Sequence, residues 1–279
     1  MPMLTWLPRR ARPHRCLPHA GPGTRRAHEA PTTRMAALLG PAAFAVALSS
    51  TAAEITVLSG GAIEPGLRAA TDAFEKQSGH QVRITFNTAP QIQKRVEGGD
   101  VFDVVIAPPS IIDALVRSGK VIAGGPSVGR VGLGVAVREG APLPAIGTTD
   151  ALKQSVLSAG GIVFNRASTG LYFEGLLRKL DLWTAVEGKT LRYADGASVL
   201  DHVRNGKGGD IAFAAITEIL LYKDKGVRFV GPLPADVQNY TSYVASLTPQ
   251  GVGSAAAKAL AAYFATPPSK QRFAAAGVE

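Results

Sequence analysis

Two hydrophobic rhythms alternate along the chain. Ile55–Leu58 and Phe102–Pro108 are short apolar runs that read as buried strands, and Val82–Thr88 alternates like a half-buried one. Between the first two strands, Leu67, Ala70 and Phe74 recur at spacings of three and four, which predicts a helix with one apolar face. Pro65 suits its first turn and Gly79 its left-handed end. Residues 90–99 and 110–121 predict two further helices, the second ending near Gly119.

The second half repeats the alternation. Gly129–Gly140 predicts a long strand, and residues 149–160 a helix capped by Thr149 or Asp150. Residues 161–183 read as strand, polar loop at Asn165–Gly170, and helix; residues 195–226 read as helix, loop, strand and helix. Strands follow at residues 227–234 and Asn239–Thr248, and a pair of helices fills residues 253–279. Strand and helix in strict turn predict the α/β class, with mostly parallel sheets covered on both faces.

Three strand-to-helix junctions share a chemistry. Ser59-Gly60-Gly61-Ala62, Asn87-Thr88-Ala89-Pro90 and Asn165 through Gly170 each join a strand to a helix through small polar residues. The first N–H groups of a helix have no intrahelical partner, and the helix dipole favours negative charge there. One such turn is mere punctuation as often as it is a site. Three at the carboxyl edge of an open sheet predict an anion pocket.

Familiar catalytic signatures are missing. Gly125-Pro126-Ser127-Val128-Gly129 matches a nucleophile elbow by letters, but a strand follows the serine where a helix is needed. Neither a zinc-protease helix, nor a phosphate-binding P-loop, nor a dinucleotide fingerprint occurs, so no metal and no cofactor is expected. After residue 53 the histidines are His80 and His202, both expected at solvated positions. Asp103 is either a base at a strand start or a local cap. Arg166, in the third junction, suits a bidentate clamp on a carboxylate. Tyr172 and Tyr240 offer hydroxyl donors, and Asn239 stands beside Tyr240 where the chain returns between halves.

Charge narrows the field only after the N-terminus is set aside. Ala36–Leu48 is an apolar run of 13 residues behind Arg34, and it ends in Thr51-Ala52-Ala53. That is the layout of a secretory signal peptide cut near Ala53. Met1 or Met35 is the start, since 34 basic, proline-rich residues precede the run. Residues 1–53 hold seven of the 30 basic residues and one of the 21 acidic ones, so residues 54–279 hold 23 and 20, a net charge of +3. The pI of about 9.8 therefore does not argue for nucleic acid. Cys16, the lone cysteine, falls in the leader. A periplasmic protein without disulfides, acting as a monomer, is expected.

The segments "ITVLSGGAIEPGLRAATDAFEKQSGHQVRITFNT", "VFDVVIAPPSIIDALVRSGKV" and "NYTSYVAS" resemble the type II periplasmic solute-binding proteins, in the branch of the molybdate-binding proteins of ABC importers. The resemblance implies two lobes, residues 54–133 plus 245–279 and residues 134–244. It also implies two crossing hinge strands, an anion held in the cleft and a membrane permease as partner. Where molybdate binders carry an oxyanion-binding serine this chain has Ala62, and a serine-rich second loop is replaced by Asn87–Pro90. A larger anion, a di- or tricarboxylate, is therefore expected instead of molybdate. Ser59, Thr88, Ser168 and Thr169 are expected to supply hydroxyls, with N–H groups from Gly60–Ala62 and Thr169–Gly170. Ala89 and Asn165 lie in the same loops. The branch is also similar to aconitate isomerase, an enzyme on this fold, which leaves a proton-shifting isomerase as the alternative. Such an enzyme needs a base, and the sequence names none.

Overall fold

The structure, a computed structural model, describes residues 52–279, which fall within one compact unit, Ser50–Glu279. The expected leader lies outside the described residues except for Ala52 and Ala53. Nine strands build the framework: β1 Glu54–Gly60, β2 Gln81–Asn87, β3 Val104–Ala107, β4 Ser127–Arg138, β5 Gly161–Asn165, β6 Thr190–Tyr193, β7 Asp210–Ala215, β8 Val227–Pro232 and β9 Tyr240–Leu247. The helices are α1 Glu64–Ser78, α2 Ala89–Glu97, α3 Pro109–Arg117, α4 Thr149–Ser158, α5 Ser168–Lys179, α6 Trp183–Val186, α7 Gly196–Asn205, α8 Ile216–Leu221, α9 Pro249–Gly253, α10 Ala255–Tyr263 and α11 Pro267–Ala275. Strands and helices alternate through both halves, as the α/β class requires.

The strand order is β2-β1-β3-β9-β4-β7-β5-β6, with β8 on the far edge of β4. β1 pairs in parallel with β2 and β3, and β5 in parallel with β6 and β7. β9 and β4 run antiparallel to their neighbours and to each other, Gly129 opposite Tyr243 and Gly132 opposite Tyr240. Two parallel half-sheets thus meet across β9 and β4, each having crossed over through a helix.

Each half-sheet is covered on both faces, and strand alternation shows how. In the first, Ile55, Val57, Val104 and Ile106 face α1, α10 and α11, whereas Leu58, Val105 and Ala107 face α2 and α3. In the second, Val135, Ile162, Phe164 and Phe213 face α5 and α6, with Phe173 stacked on Phe213 at 3.7 Å between ring centroids; Ala136, Val163 and Ala214 face α7 and α8. Both faces being buried explains why these strands read as continuous apolar runs.

Local signals operated largely as expected. Gly79 closes α1 with φ of 74°, and Thr88 forms a reciprocal capping box with Gln91 at the head of α2. The cap of α4 is Thr148, whose side chain accepts from Ala151 N, and not Thr149 or Asp150. The strand β6 was not legible, and the C-terminal pair of helices is a set of three. Asp103 proves to be a local cross-link: Oδ2 accepts from Thr56 N and Oγ1, both at 2.8 Å, and Oδ1 accepts from Gln250 at 3.3 Å.

Candidate functional site

Five helix starts surround one cavity of about 330 Å³. Its wall is built from Gly60, Gly61, Ala62 and Glu64 ahead of and within α1; Thr88, Ala89 and Gln91 at α2; Ala167, Ser168 and Thr169 at α5; Asp195, Gly196 and Ala197 at α7; and Glu218, Leu221 and Tyr222 on α8. Phe86, Asn87, Asn165 and Tyr243 complete it. The first two helices follow strands of one half-sheet and the others strands of the second, so the cavity lies where the halves face each other.

The helix starts are not equivalent. At α2, the Thr88 N–H is taken by the Gln91 side chain at 3.0 Å and Pro90 has no N–H, which leaves the N–H of Ala89. At α5, Asn165 Oδ1 accepts from Ala167 N at 3.0 Å, Gly170 N at 3.1 Å and Thr169 Oγ1 at 3.2 Å, which leaves the N–H groups of Ser168 and Thr169 without an intrahelical partner. Neither α2 nor α5 has an acid in its first turn. The other three carry an acid in the first turn or at the cap: Glu64 on α1, Asp195 capping α7 by accepting from Ser198 N at 2.8 Å, and Glu218 on α8. The cavity is polarised, with bare positive dipole ends at α2 and α5 and carboxyls at α1, α7 and α8. Among the described residues no Lys, Arg or His lines it. Among the described residues no group of three or more His, Cys, Asp or Glu is placed to hold a metal ion.

Two groups on this wall are strongly perturbed, Glu218 and Tyr243. Glu218 is half-buried, with the carboxyl as its deeply set end. Burial pushes its pKa from 4.5 up to about 7, a bond from the Ala215 backbone opposes this, and the charges of Asp195 and Glu64 add to the rise. Gly196 makes room for it, and Gly61 lies alongside. A Cβ on Gly196 would collide with Glu218 Oε2, and one on Gly61 would stand 3.7 Å from Oε1. Tyr243, on β9, is almost wholly buried, and burial followed by the charge of Glu218 raises its phenol well above the ordinary value. Its ring occupies the space a side chain at Gly60 would need, 2.6 Å from such a Cβ. Behind the cavity, the Thr217 hydroxyl donates to the Ala62 carbonyl and ties α8 to the turn before α1.

Of the residues expected from sequence, Gly60, Gly61, Ala62, Thr88, Ala89, Asn165, Ser168 and Thr169 line this cavity. The rest lie elsewhere. Ser59 is fully buried and donates to its neighbour Gly60 O at 3.2 Å; Gly170 packs behind Asn165. Arg166 is exposed, outside the lining, with its N–H bonded to Tyr193 O. Tyr172 donates to Val237 O at 2.9 Å, and Asn239 gives its carbonyl to Leu133 N. Tyr240 stacks under Arg130 at 4.3 Å and borders a second, shallower cavity beside Pro232–Pro234. The histidines are not solvated as expected. His80 Nδ1 accepts from Ala53 N at 3.2 Å, and His202 sits between Tyr193 Oη at 2.8 Å and Asp210 Oδ2 at 3.0 Å. Glu218, Asp195 and Tyr243 were missed by the sequence reading.

Known proteins place this architecture. The family described as bacterial extracellular solute-binding protein matches residues 55–279. An aconitate isomerase from a Pseudomonas species is 29% identical over 219 residues, 76% of this chain and 82% of that protein. The periplasmic molybdate-binding protein of Azotobacter vinelandii superposes with a TM-score of 0.65 at 18% identity, over 81% of this chain and 98% of the other. A sulfate-binding protein from Mycobacterium tuberculosis gives 0.60 at 20% identity, over 81% and 86%.

Proposed function

The chain belongs to the family of bacterial extracellular solute-binding proteins, and from that premise we propose that it captures a small organic di- or tricarboxylate, in preference to molybdate, in the cavity between its half-sheets. The polarisation of the cavity carries this reading. Bare helix starts at α2 and α5, one from each half, suit two carboxylates set apart on one carbon skeleton. The volume of about 330 Å³ falls at the small end of ligand sites, roughly 300–1,000 Å³.

A tetrahedral oxyanion is served poorly. Ala62 has no hydroxyl, Ser59 and Thr169 donate within the protein, and Thr88 is engaged in its capping box. Only Ser168 among the expected hydroxyls is uncommitted. Leaving oxyanion acceptors unpaired in a dry site costs about 1–3 kcal/mol each. In this reading the two lobes expected from sequence close on the ligand, and the exported monomer delivers it to an ABC-type permease. Calorimetric titration should give heat with a tricarboxylate and little with molybdate; tight molybdate binding would overturn the proposal.

A second reading has one observation in its favour. Glu218 is a carboxyl of raised pKa on the wall of a cavity that no basic side chain lines among the described residues, which is a setting for proton transfer. An isomerase on the binding-protein fold, as the 29% relative is by name, would use it.

A further inference from the structure

We propose that Glu218 is the acid–base group of the cleft, moving a proton between the two allylic carbons of a bound unsaturated polycarboxylate. The inference rests on the carboxylate reading above and gives its second form a residue. Three features of the geometry support it. The Glu218 carboxyl reaches the cavity between Gly61 of one half and Gly196 of the other, and a side chain at Gly196 would block it. Among the described residues no Lys, Arg or His lines the cavity to hold it as a spectator ion pair. The starts of α2 and α5, with no acid in their first turns, border the same cavity as Glu218, and in the proposed complex they take the ligand's carboxylates and leave its carbon skeleton toward Glu218.

The step balances without a cofactor. The Glu218 carboxylate takes a proton from a CH₂ flanked by a carboxylate and a C=C bond. The C–H electron pair becomes the new C=C bond, the old π pair moves to the far allylic carbon, and the developing charge spreads into the carboxylate beside it. Glu218 then returns the proton to that far carbon, and the base is regenerated. Helix-start N–H groups at the carboxylates stabilise the dienolate as charge develops. Tyr243, kept protonated by burial and by Glu218 itself, adds a donor on the β9 side.

The base form is needed to begin, so the rate should rise with pH through about 7. The titratable groups facing Glu218 are Asp195 from α7, Glu64 from α1, Tyr243 from β9 and Tyr222 from α8 itself. The charges of the first two add to the rise at Glu218, and burial raises both tyrosines above the ordinary phenol value.

The test uses the full chain with cis- and trans-aconitate in D₂O, followed by proton NMR for isomer ratio and deuterium incorporation, with binding measured by calorimetry. The parent should interconvert the isomers, with deuterium entering the far allylic carbon only as far as the Glu218 proton exchanges with solvent between its removal and its return. Glu218→Gln should bind but lose about a hundred- to ten-thousandfold in rate. The pH profile of the parent supplies a second readout that needs no variant. Binding by the parent without interconversion of the isomers overturns the inference and leaves the carboxylate reading standing. So does a Glu218→Gln rate equal to the parent's, or a profile flat from pH 5 to 8. Absence of heat with either isomer and with saturated tricarboxylates overturns both.

Discussion

Replacing Glu218 by Gln should stabilise the protein at alkaline pH and hardly change it in acid. Below about pH 4.5 the carboxyl is protonated in both folded and unfolded chains, so its ionisation costs nothing. As pH rises, the unfolded chain ionises first and the folded protein resists until about pH 7. Stability present below pH 4.5 is therefore lost across that window and stays lost above it. A rise of this size at about 1.4 kcal/mol per pKa unit sets an upper bound of about 3 kcal/mol. Because the side chain is partly open to the cavity, about 1–3 kcal/mol is expected. For a body of this size that is roughly 2–10 °C in Tm. Thermal melts of parent and variant at pH 4.5 and pH 8 provide the assay. Any bond the glutamine changes at Ala215 contributes at both pH values and drops out of the difference. A parent–variant gap that does not widen between them would refute the account of Glu218.

Gly196→Ala places a methyl against the Glu218 carboxyl where a helix would otherwise welcome alanine, so titration should show carboxylate affinity reduced about tenfold; unchanged affinity would mean the carboxyl has room elsewhere. Asn165→Ala removes the acceptor that ties down Ala167 N, Gly170 N and Thr169 Oγ1, and denaturant melts should show a loss of about 1–3 kcal/mol. Arg166→Ala should change affinity less than about twofold, because the side chain is exposed and outside the cavity; a loss of ten- to a hundredfold would return the arginine to the site.

The fold was legible because its signals are local or periodic. Ile55–Leu58, the glycine turn and the Leu67-Ala70-Phe74 stripe specify strand, turn and helix within 25 residues, and burial on both faces makes β3 and β7 read as apolar runs. β6 escaped because Thr190–Tyr193 is four residues long and only half-buried. Half of the cavity was legible for the same reason: the starts of α1, α2 and α5 announce themselves as small polar residues after strands. The acidic half was not. Glu218 and Tyr243 are more than 150 residues from Gly60 and reach it only because β9 returns beside β3 and Thr217 anchors α8 against Ala62. The one sequence signal was an acid in the third position of an otherwise apolar helix, Ile216-Thr217-Glu218-Ile219-Leu220-Leu221, which also suits an ordinary cap. Arg166 adjoins Asn165 in the third junction, but its side chain is exposed outside the cavity and its N–H bonds to Tyr193 O, whereas Asn165 Oδ1 holds the start of α5.

A crystal structure of the chain with a bound tricarboxylate tests the central claim most directly. The account predicts one carboxylate at the start of α2 within hydrogen-bond distance of Ala89 N, another at Ser168 N or Thr169 N on α5, and the carbon skeleton against Glu218. A ligand held by Arg166, or seated in the shallower cavity beside Tyr240 with the space between the half-sheets empty, would contradict it.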